Sequence, residues 1–173
     1  MAFFFSFFYS IFKLLKSSNN REKPFGNFLT HAQTVEVIMN KLRQIPNWDG
    51  IVLVVDDEET VRRVAHDILV QTGMQVLQAV NGAQGVELFR KHQHELTAVI
   101  LDLRMPVMDG RTAYDEMMKI NPNVKVIISS GYSETEVRQY FATQTDVFFL
   151  DKPYRFNDLI NKMQQLRASY LAG

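Results

Sequence analysis

The sequence predicts an α/β domain, a doubly wound parallel sheet of five strands with helices on both faces, behind an N-terminal helical extension. Three observations predict it. From Ile51 onward, short β-branched apolar runs alternate five times with longer amphipathic stretches. The runs are nearly continuous in apolar character, as in strands buried on both faces, rather than alternating with polar residues. Glycine, proline and short polar residues mark most changes of element.

Taken in order, Ile51–Val55 is the first strand, followed by a helix over about 58–72 that Gly73 closes. Gln75–Ala79 is the second strand, and Asn81-Gly82 opens a helix to about His92. Ala98–Leu101 is the third strand. A loop holding Met105-Pro106-Val107-Met108-Asp109-Gly110 leads to a helix over about 111–120. The turn Asn121-Pro122-Asn123 precedes a fourth strand at 124–129, and Ser133 caps a helix reaching about Ala142. Val147–Leu150 is the fifth strand, and the last helix covers 156–169. In such sheets ligands sit beyond the carboxyl ends of the strands, where the strand order switches. Asp57, Asp102, Ser130 and Lys152 all follow strands, so they are expected to converge on one edge.

The 173 residues leave room for one full core and an additional segment, and a hydrophobic fraction of 46% suits a globular chain. The absence of cysteine excludes disulfides, thiol catalysis and cysteine metal sites, and fits a reducing cytoplasm. Net charge is zero, but residues 1–48 hold six basic against two acidic residues (+4), leaving 13 against 17 (−4) in the remainder. A balanced chain offers no case for nucleic-acid binding.

Phe3 to Leu15 is apolar and aromatic but too short for a membrane span, and it lacks the flanks of a secretory signal. As a helix, Ser6, Ser10, Lys13 and Ser17 would form one polar stripe, leaving an aromatic face over residues 3–16 suited to a membrane interface or a partner. An accidental hydrophobic tail is the competing reading. The polar stretch 17–24 is a linker. Asn27 then caps a helix to about Ile45, whose Phe28, Ala32, Val35, Met39 and Leu42 form a heptad seam expected to dock on the neighbouring domain or on a second copy, as a homodimer. The divisions are thus a hydrophobic segment at 1–18, linker and helix at 19–49, and the main domain at 50–170.

The chemistry begins where apolar Ile51–Val55 gives way to Asp56-Asp57-Glu58-Glu59, and where Ala98–Leu101 ends in Asp102. Carboxylates crowded at a buried strand edge need a cation, and aspartate oxygens are hard ligands suited to Mg2+. One aspartate is then free to act as a nucleophile.

Four stretches stand at the strand ends: 51–59, Leu101-Asp102-Leu103-Arg104-Met105-Pro106-Val107-Met108-Asp109-Gly110, Val126-Ile127-Ile128-Ser129-Ser130-Gly131-Tyr132 and Phe149-Leu150-Asp151-Lys152-Pro153-Tyr154. Together they resemble the receiver domains of two-component response regulators, above all those of hybrid sensor histidine kinases. The resemblance covers about 120 residues and excludes the first 49. It implies a flavodoxin-like strand order 2-1-3-4-5 and assigns Asp102 as phosphoacceptor. Asp57 would bind Mg2+ directly, Asp56 mostly through water, and the Arg104 carbonyl would complete the protein's ligands. Lys152 would neutralise a phosphoryl oxygen and Asp102, and Ser130, favoured over Ser129 by its spacing from Lys152, would bond a second oxygen. Phe149 matches the aromatic switch position, Arg104 and Tyr132 the positions that tune hydrolysis, and Lys152-Pro153 a bond that receivers commonly hold cis.

The implied function is phosphoryl acceptance from a histidine kinase or histidine phosphotransfer protein, followed by a changed partner-binding face toward a downstream protein. Self-phosphorylation from small donors and slow autodephosphorylation would be its only chemistry. An aspartate-nucleophile phosphatase is the first alternative, but its general acid would stand where Arg104 does. A nucleotide or flavin binder would need a phosphate-cradling loop where four acids follow the first strand. A membrane-tethered docking module with a vestigial site is the last. With only Leu171-Ala172-Gly173 after the last helix, a lone regulator or the detached receiver of a hybrid kinase is expected. His31, His66, His92 and His94 form no metal set, the last two being expected in solvent. Met74, Met105, Met108, Met117, Met118 and Met163 are expected to pack.

Overall fold

The structure is a computed structural model that describes residues 46–132, 134–141 and 147–171. The aromatic segment, the linker, the heptad helix, the Ser133 cap and the Ala142 helix end all lie outside the described residues. The elements run β1 (Ile51–Val55), α1 (Glu59–Gln71), β2 (Gln75–Ala79), α2 (Gly82–His92), β3 (Leu96–Asp102), α3 (Gly110–Ile120), β4 (Val126–Ser130), α4 (Glu134–Tyr140), β5 (Val147–Asp151) and α5 (Phe156–Leu171).

All strand pairs are parallel, and the sheet order is β2-β1-β3-β4-β5, as expected. The central strands are buried on both faces because two separate cores use alternate residues. Leu53, Val55, Val99, Leu101, Val126, Ile128 and Phe149 pack under α2, α3 and α4 with Phe89, Met117 and Phe141. Val52, Val54, Ala98, Ile100, Ile127 and Leu150 pack under α1 and α5 with Leu69, Leu159 and Leu166. Each Val, Leu, Ile, Phe or Met side chain among them contributes about 1.5–3 kcal/mol on leaving water. β2 lies at the edge, and its Gln75 and Gln78 are exposed.

Both ends of β3 and of β4 differ from the sequence expectation. β3 begins two residues early, because Glu95 N donates to His92 O in a turn that lets Leu96 pair with Ile51. It also extends through Asp102, which pairs with Ser129. β4 starts late because Val124 N bonds back to Asn121 O, and it ends one residue later, at Ser130, opposite Asp151. Asp102 and Ser130 are therefore terminal residues of strands, held by the ladder rather than by loops. Gly73, at φ 89°, ends α1; a side chain there would also strike Trp48 O.

The expected methionines pack: Met74, Met105, Met117 and Met163 are buried, while Met108 and Met118 are partly so. His94 is exposed as expected, but His92 is half-buried beside Glu95, its ring Nδ1 3.5 Å from the carboxylate.

Candidate phosphoacceptor site

The carboxyl ends of β1, β3 and β5 bring Asp56, Asp102 and Lys152 together. Period-two alternation explains part of this. Asp56 follows Val54, Asp102 follows Ile100 and Ser129 follows Ile127, all on the α1/α5 face, whereas Ser130 and Phe149 carry the opposite parity. Lys152 Nζ lies 2.7 Å from Asp56 Oδ2, 3.1 Å from Asp102 Oδ1 and 3.9 Å from Glu58 Oε1. The Lys152–Pro153 bond is cis, as the resemblance implied.

Backbone groups fix both acids. Glu58 N donates to Asp56 Oδ1 at 3.0 Å, and Leu103 N to Asp102 Oδ1 at 2.9 Å. Arg62, one turn into α1, donates from Nη1 to the carbonyls of Asp56 (2.8 Å) and Asp57 (2.9 Å) and so braces the loop that carries the acids. In the sequence Arg62 is marked only as a basic residue four positions after Glu58. The start of α3 closes against the site from the other side. Gly110 N donates to Leu103 O, and a Cβ at Gly110 would overlap the carbonyl of Asp102, so only glycine lets the helix approach this closely.

Burial raises the Asp102 carboxyl above its ordinary value; Lys152 opposes that rise and Asp56 adds to it. Burial pulls the Lys152 ammonium down, but the hydrogen bond to Asp56 and the charges of Asp102 and Asp56 together outweigh it and hold Lys152 above its ordinary value. The resting cluster is thus a buried acid pair bridged by one lysine.

Asp56, Asp57 and Asp102 each offer an oxygen within 4.8 Å of the others. That donor set, all hard oxygens with Asp57 exposed so that water can complete the shell, fits Mg2+. Ser130, buried, accepts from Tyr132 N at 3.0 Å through its Oγ. The Arg104 guanidinium lies 4.5 Å over the Tyr132 ring, and both residues are exposed at the mouth of the site. A cleft of about 560 Å3 opens there, between Asp57, Arg104, Met105, Tyr132, Tyr140 and Phe141. Phe149 is turned inward, 6.3 Å from the Phe141 ring, with the Arg138 guanidinium 4.8 Å from its own.

Tyr154 closes the stretch that runs from Phe149. It is buried, and burial, then the charges of Asp56 and Asp102, push its phenol well above its ordinary range while Ser129 opposes the shift. Nothing local in the sequence announces this, because the proximity depends on how α5 packs across the sheet.

Residues 52–164 match the family model of the response regulator receiver domain. The chain is 31% identical over 115 residues to the sensor kinase CckA of Brucella abortus, a match covering 66% of this chain and 12% of that kinase. It is 30% identical over 121 residues to sporulation initiation phosphotransferase F of Bacillus subtilis, covering 68% of this chain and 96% of that protein. The crystal structure of the CheX–CheY–BeF3–Mg2+ complex from Borrelia burgdorferi is similar at 25% identity, with a TM-score of 0.63, covering 68% of this chain and 88% of that one.

The chain belongs to the response regulator receiver domain family. Members are phosphoacceptor switches rather than turnover enzymes, bind Mg2+ at an aspartate cluster and take phosphate from histidine kinases or phosphotransfer proteins. Among the described residues, no helix is long and apolar enough to cross a membrane.

Proposed function

We propose that Asp102 is the phosphoacceptor of this chain and that Lys152 and Ser130 bind the phosphoryl oxygens. An Asp102 carboxylate oxygen bonds to phosphorus, the bond from phosphorus to the donor's imidazole nitrogen breaks, and the electron pair stays with that nitrogen. Asp56, Asp57, Asp102 and the Arg104 carbonyl would hold Mg2+, which offsets the negative charge of both reacting groups. The observation that carries this reading is Lys152 spanning Asp56 and Asp102 at the tips of three strands.

Phosphorylation would draw Ser130 toward the new group and let Phe149 follow, changing the α4–β5–α5 face that a downstream protein reads. The stacked Arg104–Tyr132 pair would shield the acyl phosphate and slow its hydrolysis. The receiver would occupy 50–170. Residues 19–49 would supply a docking or dimerising helix, and 3–16 a peripheral membrane contact in an otherwise cytoplasmic protein.

Radiolabelled acetyl phosphate with Mg2+ is expected to label the wild-type chain and leave Asp102→Asn unlabelled; equal labelling would refute the acceptor. Deleting residues 1–18 is expected to preserve labelling and to reduce co-sedimentation with anionic lipid vesicles. Unchanged sedimentation would dismiss the membrane contact.

A further inference from the structure

Two cations reach the acidic cluster, and they reach different atoms. Lys152 bonds carboxylate oxygens of Asp56 and Asp102. Arg62 donates instead to two main-chain carbonyls, from Nη1 to Asp56 O at 2.8 Å and to Asp57 O at 2.9 Å. A metal ion that takes up the carboxylates competes with Lys152 for them, but it leaves both bonds of Arg62 untouched.

Those two carbonyls belong to the two peptides that flank the Cα of Asp57. One donor therefore fixes both peptide planes, and with them the direction in which the exposed Asp57 side chain leaves the backbone. The second of these peptides also carries the amide of Glu58. In a trans peptide the carbonyl and the amide point in opposite directions, so holding Asp57 O on Arg62 turns Glu58 N toward the acids. There it donates to Asp56 Oδ1 at 3.0 Å. A guanidinium on the carbonyl polarises that amide and strengthens its bond to the carboxylate. The frame behind this chain of bonds is firm. Arg62 N closes the first turn of α1 on Glu58 O, Asp56 N is fixed to Ala79 O at the end of β2, and Ala65, Ile68 and Leu69 anchor α1 in the core.

We infer that Arg62 is a positioning residue of the phosphoryl-transfer site. It locks the two peptides around Asp57, aims the Asp56 and Asp57 carboxylates, and so sets the affinity for Mg2+ without occupying a metal ligand. The inference rests on these acids binding Mg2+. Charge alone predicts the reverse: a guanidinium beside a divalent site repels the ion, and its removal would tighten binding if Arg62 did nothing but carry charge.

The test titrates Mg2+ into the full chain at neutral pH and follows the amide resonances by NMR in the wild type, Arg62→Met and Arg62→Lys. Methionine keeps an apolar stem and loses every donor. Lysine keeps the charge, but its ammonium ends short of Nη1 and cannot serve both carbonyls as the guanidinium does. In Arg62→Met the dissociation constant for Mg2+ is expected to rise about tenfold or more, the size of one lost bond to a charged group. The Glu58 amide proton is expected to move upfield before any metal is added, a signature that loss of packing elsewhere in α1 would not produce. Arg62→Lys is expected to fall between the two. Mg2+ bound by Arg62→Met as tightly as by the wild type, or more tightly, would overturn the inference, and so would a Glu58 resonance that stays in place. Should Arg62→Met fail to fold, Arg62→Lys carries the same test, with wild-type affinity as the refuting result. A wild-type chain whose resonances do not respond to Mg2+, or an Asp57→Asn variant that binds it like the wild type, would overturn the metal site itself, and this inference with it.

Discussion

Lys152 stands between two carboxylates that would otherwise repel each other in a buried site. Removing it as Lys152→Ala leaves both acids without their cation, a loss of about 3 kcal/mol by the usual cost of breaking a buried pair. The pH dependence follows from the shifts. Lys152 sits above 10.5, so its contribution is complete below 10.5 and fades as pH rises through its folded value. Asp102 sits above 3.8, so its ionisation works against the fold: stability from this group is present below 3.8 and lost as pH rises through the raised value. The deficit of Lys152→Ala is therefore expected to narrow as pH falls through the raised value of Asp102, where that carboxyl protonates. Urea unfolding followed by circular dichroism, without Mg2+, measures it; a deficit independent of pH would contradict the pairing. At this scale the sequence was most legible for the charged residues. Asp56, Asp57, Asp102 and Lys152 each end or follow a strand, so position alone brought them to one edge. Arg62 escaped, because its value lies in the two carbonyls it touches.

At the level of elements, α3 is held by its first residues. Asp109 Oδ1 accepts from Thr112 N at 2.8 Å, and that bond holds the exposed carboxyl below its ordinary value. Asp109→Ala is expected to cost about 1 kcal/mol, and Asp109→Asn, which can cap equally well, only a few tenths. Because the folded value is lowered, this contribution is present above 3.8 and lost as pH falls through that folded value. The gap between Asp109→Ala and wild type should accordingly close in acid; chemical denaturation at pH 7 and pH 3 decides it. The type and order of the elements were readable because a strand and a helix differ in period over a handful of neighbouring residues. Their ends were less so. β3 reached Asp102 and β4 reached Ser130 because each terminal residue found a ladder partner far away in the chain.

For the molecule as a whole, ligand binding at the sheet edge should stabilise both cores, since β1 and β3 lie at the centre and carry side chains into each. Mg2+ at a hundred times its dissociation constant is expected to add about 2.7 kcal/mol to unfolding. The gain should be largely absent in Asp57→Asn, whose exposed carboxylate is the member of the cluster that Lys152 does not engage among the described contacts. Thermal melts across a magnesium series measure this; an identical gain in the variant would remove Asp57 from the metal site.

Local pattern by itself determined the alternation of five strands and five helices and the edge on which the acids would meet. Those properties depend on residues within one element or at its end. Only the tertiary structure decided that Ser129 faces Asp102 and Ser130 the other core, that Arg62 braces the acidic loop, that Arg104 stacks on Tyr132, and that the Tyr154 phenol is buried near the acidic cluster. Each of these depends on register and packing between segments distant in sequence or on the direction of a side chain, and neither is encoded in the spacing of residues along one segment.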